Sequence, residues 1–149
     1  MTRLFCLILL IALLPAPAAD AARPRAERMA GPLFAEVTDV LDGDTLAVRV
    51  QIWIGQEVIT DVRIAGIDAP ELHGQCPAER QKALAAKEEL RRLLRNNRAV
   101  LSDIKLEKYA GRVLATVKAT DGTLAADHLI KAGLARDYHG GKRGGWCES

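Results

Sequence analysis

The sequence predicts an α+β fold: a five-stranded OB-type β-barrel with two or three helices. Three observations carry this. Along residues 46–54 the apolar Leu46, Val48, Val50, Ile52 and Ile54 alternate with Ala47, Arg49, Gln51 and Trp53, and a period of two buries one face of a strand. Strand-like runs lie on either side across short turns, so three consecutive strands form an antiparallel meander. A helical pattern follows the third strand and another follows the fifth, as in a small, partly open barrel.

Each element has its own signal. Residues 34–41 read as the first strand, ended by Asp42-Gly43-Asp44. Gly55-Gln56 turns the second strand into the third, expected over 58–67. Pro77 suits the first turn of a helix, where its missing N–H leaves no bond unmade. That helix runs to about residue 95, with Ala83, Ala86, Leu90, Leu93 and Leu94 at helical spacing, and Asn96-Asn97 ends it. Residues 100–106 and 112–119 give two further strands, and Asp121-Gly122 is a turn. The second helix covers 124–132, with Gly133 as its C-terminal cap.

The 149 residues suit one domain. Arg3, the apolar run 4–14 and the small-residue stretch PAPAADAA have the layout of a signal peptide, residues 1–21. Ala16-Pro17-Ala18 and Ala19-Asp20-Ala21 both offer a cleavage site. The run is too short to span a bilayer, which takes about 20 residues. The expectation is export to the periplasm or the medium, with no membrane attachment after cleavage. Residues 22–32 read as a flexible lead-in and 33–149 as the domain. Cleavage removes Cys6 and leaves Cys76 and Cys147, an even pair in an oxidising compartment. They read as a disulfide, worth about 4 kcal/mol in the chain-entropy model, with two free buried thiols as the alternative. A net charge of +2 and 4% aromatic residues give no sign of a domain that holds nucleic acid by charge alone, or of an extended base-stacking platform.

Chemistry gathers in two acidic turns. Asp42-Gly43-Asp44-Thr45 is by itself an ordinary hairpin turn, and it lacks the glycine and glutamate of an EF-hand loop. The stretch RIAGIDAPEL, 63–72, carries Arg63, Asp68 and Glu71. In a meander the first turn and the end of the third strand lie at the same end of the sheet, so Asp44, Asp68 and Glu71 can converge. Clustered carboxylates repel unless a cation or proton joins them, and hard oxygen ligands suit calcium or magnesium. Arg63 is either a surface residue paired with Asp61 or a guanidinium aimed at the cluster, where a phosphate would suit its fork. Gly111 allows a tight turn that lets Arg112 open the last strand. His73 reads as a polar loop residue, with a metal near Glu71 as the alternative, His128 as a residue on the exposed face of the second helix and His139 as a tail residue near the substrate rather than a catalyst; Arg136, Lys142 and Arg143 form a modest basic patch, and Trp146 reads as core cover.

Taken together, DGDT, RIAGIDAPE, KYAGR and LIKAGLARDYHGGKRGGWC resemble the staphylococcal nuclease family over about residues 34–147. The resemblance implies an OB-type barrel and a calcium-dependent phosphodiesterase acting on DNA and RNA. It implies Asp44, Asp68 and the Ala69 carbonyl as calcium ligands, with Asp42 behind them. It implies Glu71 at the attacking water, and Arg63 and Arg112 at the phosphate. Ala69 stands where well-known members have threonine, Glu107 replaces an aspartate, and Ala110 lengthens the KYAGR turn. A monomer is the expected state. Two other classes use the same features: a catalytically silent nucleic-acid-binding barrel and an exported calcium-binding module.

Overall fold

The computed structural model describes residues 27–107 and 111–147. The expected signal segment, residues 22–26 of the lead-in, Lys108, Tyr109 and Ala110 of the KYAGR turn, and the last two residues lie outside the described residues. The elements are β1 (Arg28–Met29), β2 (Leu33–Val40), β3 (Thr45–Trp53), β4 (Gln56–Ile64), β5 (Ile67–Asp68), α1 (Pro77–Leu93), β6 (Arg98–Leu106), β7 (Arg112–Ala119), α2 (Ala125–Lys131) and β8 (Arg136–Asp137).

β2, β3 and β4 form the expected meander. β6 pairs with both β2 and β7, and β7 runs parallel to β4. The ring β2-β3-β4-β7-β6 is therefore closed by hydrogen bonds, where the sequence suggested a partly open one. Closure removes the free strand edges that would otherwise invite pairing with another chain. Leu46, Val48, Val62, Ile64, Leu101 and Val117 fill the barrel, and Leu90 and Leu94 from α1 and Leu129 from α2 join the same core. Among the described residues no helix is long and apolar enough to cross a membrane.

Four local expectations change. The third strand stops at Ile64 rather than at residue 67, because Ala65-Gly66 turns with Gly66 at φ +85°, a conformation open to glycine. Ile67-Asp68 becomes β5 and pairs antiparallel with β8, Ile67 opposite Asp137 and Asp68 opposite Arg136. Ile52 and Ile54 keep the period of two but not the burial: they are 49% and 86% exposed. The β3–β4 hairpin outgrows the barrel, since the β2 ladder on β3 ends at Val50. The lead-in is not all loop, because Arg28 and Met29 pair with Lys105 and Ile104 of β6, beyond the stretch 98–101 that β2 pairs.

Helix α1 starts as the sequence implies. Cys76 is the N-cap, Pro77 follows it, and the helix is closed by Leu94, short of residue 95. Asn97, in the left-handed region at φ 55°, turns the chain into β6. Gly133, at φ +67°, ends α2 as expected.

Candidate active site

The β2–β3 turn is built to push Asp44 inward. The Asp42 carboxylate accepts the Asp44 N–H at 3.0 Å, and the Thr45 carbonyl accepts the Leu41 N–H at 2.9 Å. Gly43 sits so close to its neighbours that a Cβ there would lie 2.7 Å from the Ala86 Cβ on α1 and 2.9 Å from the Ala69 Cβ. Only glycine lets the turn dock against both.

Strand register then supplies Arg63. It stands opposite Thr45 across the β3–β4 ladder, and the Asp44 carbonyl accepts the Ile64 N–H at 2.8 Å. Arg63 Nη2 lies 2.7 Å from Asp44 Oδ2, and Nη1 donates to Oδ1 at 3.3 Å. The arginine is 6% exposed and the aspartate 4%, so the reading of Arg63 as a surface partner of Asp61 is set aside. Nη2 is close to Asp44 but off its hydrogen-bonding direction, and it has no aligned acceptor among the described residues. Thr45 Oγ1 donates to Asp44 Oδ1 at 2.9 Å, and the Ala69 N–H points at Oδ2 from 3.5 Å. Burial pushes the Asp44 carboxyl up to about 7, against the lowering effect of Arg63 and with a further upward push from Asp42.

Asp68 is 2% exposed and surrounded by donors from the C-terminal segment. Arg136 gives it Nη2 at 2.9 Å and Nε at 3.1 Å, and Trp146 gives its indole N–H at 3.2 Å. Arg143 Nε lies 3.3 Å from the other oxygen. Glu71 stands at the rim with its side chain 53% exposed, and Arg143 Nη1 donates to it at 2.6 Å. The Glu71 loop is held from beneath by Glu79, a buried carboxylate that accepts the N–H of Glu71 at 3.4 Å and of Gln75 at 2.9 Å. Arg143 is held above the ordinary arginine value. Partial burial works against its charge, but Asp68, Glu71 and Asp44 outweigh it.

The expected disulfide Cys76–Cys147 is present, with Cα atoms 6.0 Å apart. It pins the tail beside the Asp68–Glu71 turn. The fold thus gathers Asp44, Arg63, Asp68 and Ala69, with Glu71 at the edge and Asp42 behind Asp44. Arg112 opens β7 as expected, but its Nε is turned onto Glu107 at 2.5 Å. Its charge is stabilised first by Glu107, against burial, with smaller help from Asp44 and Asp42. His73 lines the hollow that holds Asp68 and Glu71. His128 bonds Glu89 on α1 at 2.7 Å, away from these groups. His139 lines a neighbouring open groove with Arg63, Lys105, Tyr138 and Arg143.

The donors suit a hard cation in kind. Two carboxylates and a backbone carbonyl are oxygen ligands of the calcium type, and Asp44 is a buried carboxylate whose charge Arg63 does not fully compensate. Asp44, Asp68 and the Ala69 carbonyl are the groups that would hold the ion. Among the described residues, the His, Cys, Asp or Glu group whose ligand atoms lie within 4.8 Å of one another is Cys76, Glu79 and Cys147. Its sulfurs are committed to the disulfide, so it is not that site.

Sequence reasoning missed Glu79 and the roles of Arg136, Arg143 and Trp146. A signal for the last three was available, since a Cys76–Cys147 bridge must bring residues just before Cys147 next to Glu71. No curated protein matches the chain. The profile of the family described as staphylococcal nuclease homologue matches residues 61–144, a span that includes Arg63, Asp68, Glu71, Arg112 and Arg143. Asp42 and Asp44 precede it and join the site through the Arg63 pair. The match covers more than half of the chain, and the closed five-stranded barrel with two helices agrees with it, so the chain belongs to the staphylococcal nuclease homologue family.

Proposed function

We propose that the chain is an exported, calcium-dependent nuclease that hydrolyses the phosphodiester bonds of DNA and RNA with little sequence specificity. The observation that carries this reading is the buried Arg63 fork beside Asp44, with Asp68 and Glu71 next to it. A surface ion pair needs no such burial, whereas a guanidinium with an unaligned buried N–H has an evident use for a phosphate oxygen.

Asp44, Asp68 and the Ala69 carbonyl would hold calcium, and Asp42 would keep the Asp44 turn in place. A bound calcium supplies polarisation of a phosphoryl oxygen. Glu71 orients the attacking water or takes its proton, an effect typically worth ~10²–10⁴-fold. Arg63 and Arg112 stabilise the charge that builds on the phosphoryl oxygens. These groups address the phosphate and not base edges, so sequence preference is low. Export rests on the signal-like residues 1–21, and the working unit is a monomer.

The arginines that cover Asp68 and Glu71 favour a second reading, a barrel that binds nucleic acid without cutting it. One experiment separates the two. Purified protein lacking residues 1–21 is incubated with DNA and with RNA, first with calcium and then with excess chelator. Cleavage that needs calcium supports the nuclease. Binding without cleavage in calcium supports the silent barrel, and cleavage undiminished by chelator removes calcium from the proposal.

A further inference from the structure

Resting on the nuclease reading, we infer that Arg143 is a third phosphate-binding arginine. It pairs with Asp68 and Glu71 in the cation-free protein and passes to the substrate phosphate when a divalent cation takes Asp68. The placement of this one side chain carries the inference. Its guanidinium bridges two groups of the candidate site, with Nη1 2.6 Å from Glu71 and Nε 3.3 Å from Asp68. It also lines both hollows of this region: the acidic one with Asp68, Ala69 and Glu71, and the open groove of about 1150 Å³ with Arg63, Lys105 and Tyr138. Arg143 therefore stands between the carboxylates and the groove that holds the buried phosphate-type arginine.

Arg136 and Arg143 both touch Asp68, but only one is placed to move. Arg136 gives Asp68 two N–H groups, donates to the carbonyls of Gly144 and Gly145, and lies 4.2 Å from the centre of the Trp146 ring. Its geometry is fixed on four sides. Among the described residues Arg143 holds the two carboxylates and faces the Tyr138 ring at 5.8 Å, with its side chain 41% exposed. Glycines flank it, Gly140-Gly141 before and Gly144-Gly145 after, and glycine leaves the backbone free to re-aim the side chain. When Arg143 leaves, Asp68 keeps Arg136 and Trp146, so no buried charge is stranded. A cation on Asp68 repels a guanidinium beside it, and a phosphate in the groove offers that guanidinium a bidentate partner.

The test measures calcium and oligonucleotide binding separately. Calcium affinity is read by titration calorimetry. Affinity for a short phosphorothioate thymidine oligonucleotide is read by fluorescence anisotropy in saturating calcium. Both are done on wild type, Arg143→Gln and Arg143→Lys, with melting temperatures recorded. Removing a competing charge should make Arg143→Gln bind calcium roughly tenfold tighter, while loss of the fork should weaken the oligonucleotide roughly tenfold. Arg143→Lys keeps the charge, so its calcium affinity stays near wild type while its oligonucleotide affinity falls. Opposite changes in the two affinities cannot come from a merely structural role. Calcium bound no tighter by Arg143→Gln overturns the inference, as does unchanged oligonucleotide binding, or a fall in both affinities with a lowered melting temperature. A wild type that binds calcium and cuts DNA, with variants that bind both ligands as it does, sinks this inference alone. A wild type that binds no calcium sinks the calcium reading with it.

Discussion

Arg63 and Asp44 form a two-point ion pair, at 2.7 and 3.3 Å, with both side chains buried against the β2–β3 turn. Such a pair contributes little over an apolar replacement, but breaking it leaves one charge buried and alone, at about 3–5 kcal/mol. Arg63→Ala should therefore destabilise the cation-free protein, by up to about that amount well above pH 7, where Asp44 is ionised, and by less below it, as read in urea unfolding. Asp44→Asn together with Arg63→Met should recover part of the loss. Single variants within about 0.5 kcal/mol of wild type, the range of ordinary surface changes, would show that the pair does not hold the turn.

The Asp44 carboxyl, pushed from 3.8 up to about 7 mainly by burial, gives stability a definite pH sign. The folded protein holds this proton more tightly than the unfolded chain, so protonation favours folding. The contribution is complete below about pH 4 and is lost as pH rises through about 7. In chelator, wild type should lose stability over that window, and Asp44→Asn should lose less. On the calcium reading the ion needs the ionised carboxylate, so its binding should tighten over the same window. Urea melts and calcium titrations at stepped pH check both signs.

Glu71→Gln keeps the shape of the rim residue and removes its basicity. On the nuclease reading kcat should fall by about 10²-fold or more while oligonucleotide binding persists. Arg63→Lys should also cost heavily, because it keeps a charge and loses the fork. Folded variants that cut DNA at the wild-type rate would leave 63–72 as a turn with no catalytic part.

The disulfide closes a separation of 71 residues, so Cys147→Ser should lower stability by about 4 kcal/mol in the chain-entropy model. It also unties the segment that carries Arg136, Arg143 and Trp146 to Asp68. Unfolding of wild type with and without reductant, beside the variant, checks this. Equal stability in all three states would count against the bridge.

Ala69→Thr shows how the structure changes a sequence-based expectation. If residue 69 supplies only its backbone carbonyl, threonine there should be nearly neutral. In the fold Ala69 is buried with its Cβ against Gly43, and overpacking of this kind typically costs about 1–3 kcal/mol. A variant that melts with wild type would mean the turn yields without cost.

The sequence by itself determined what depends on local preference and period. The alternation from Leu46 to Val50, the spacing of Ala83, Ala86 and Leu90, and the cap of Cys76 and Pro77 each set a backbone and a buried face within a few residues. The convergence of Asp44 and Asp68, with Glu71 beside them, was legible too, because meander topology puts the β2–β3 turn and the end of β4 together, whereas the side to which Arg63 turns was left open. The tertiary structure alone decided the rest. Parallel pairing of β4 with β7, which closes the ring, and the break at Gly66 that lets β5 pair with β8 join residues far apart in the chain. No local period encodes such pairings; they follow from which backbone edge lies near enough to satisfy which. The same holds for Arg143. Its neighbours in the sequence mark it only as part of a basic patch; the expected Cys76–Cys147 bridge points to the neighbourhood, and the fold sets the side chain on Asp68 and Glu71.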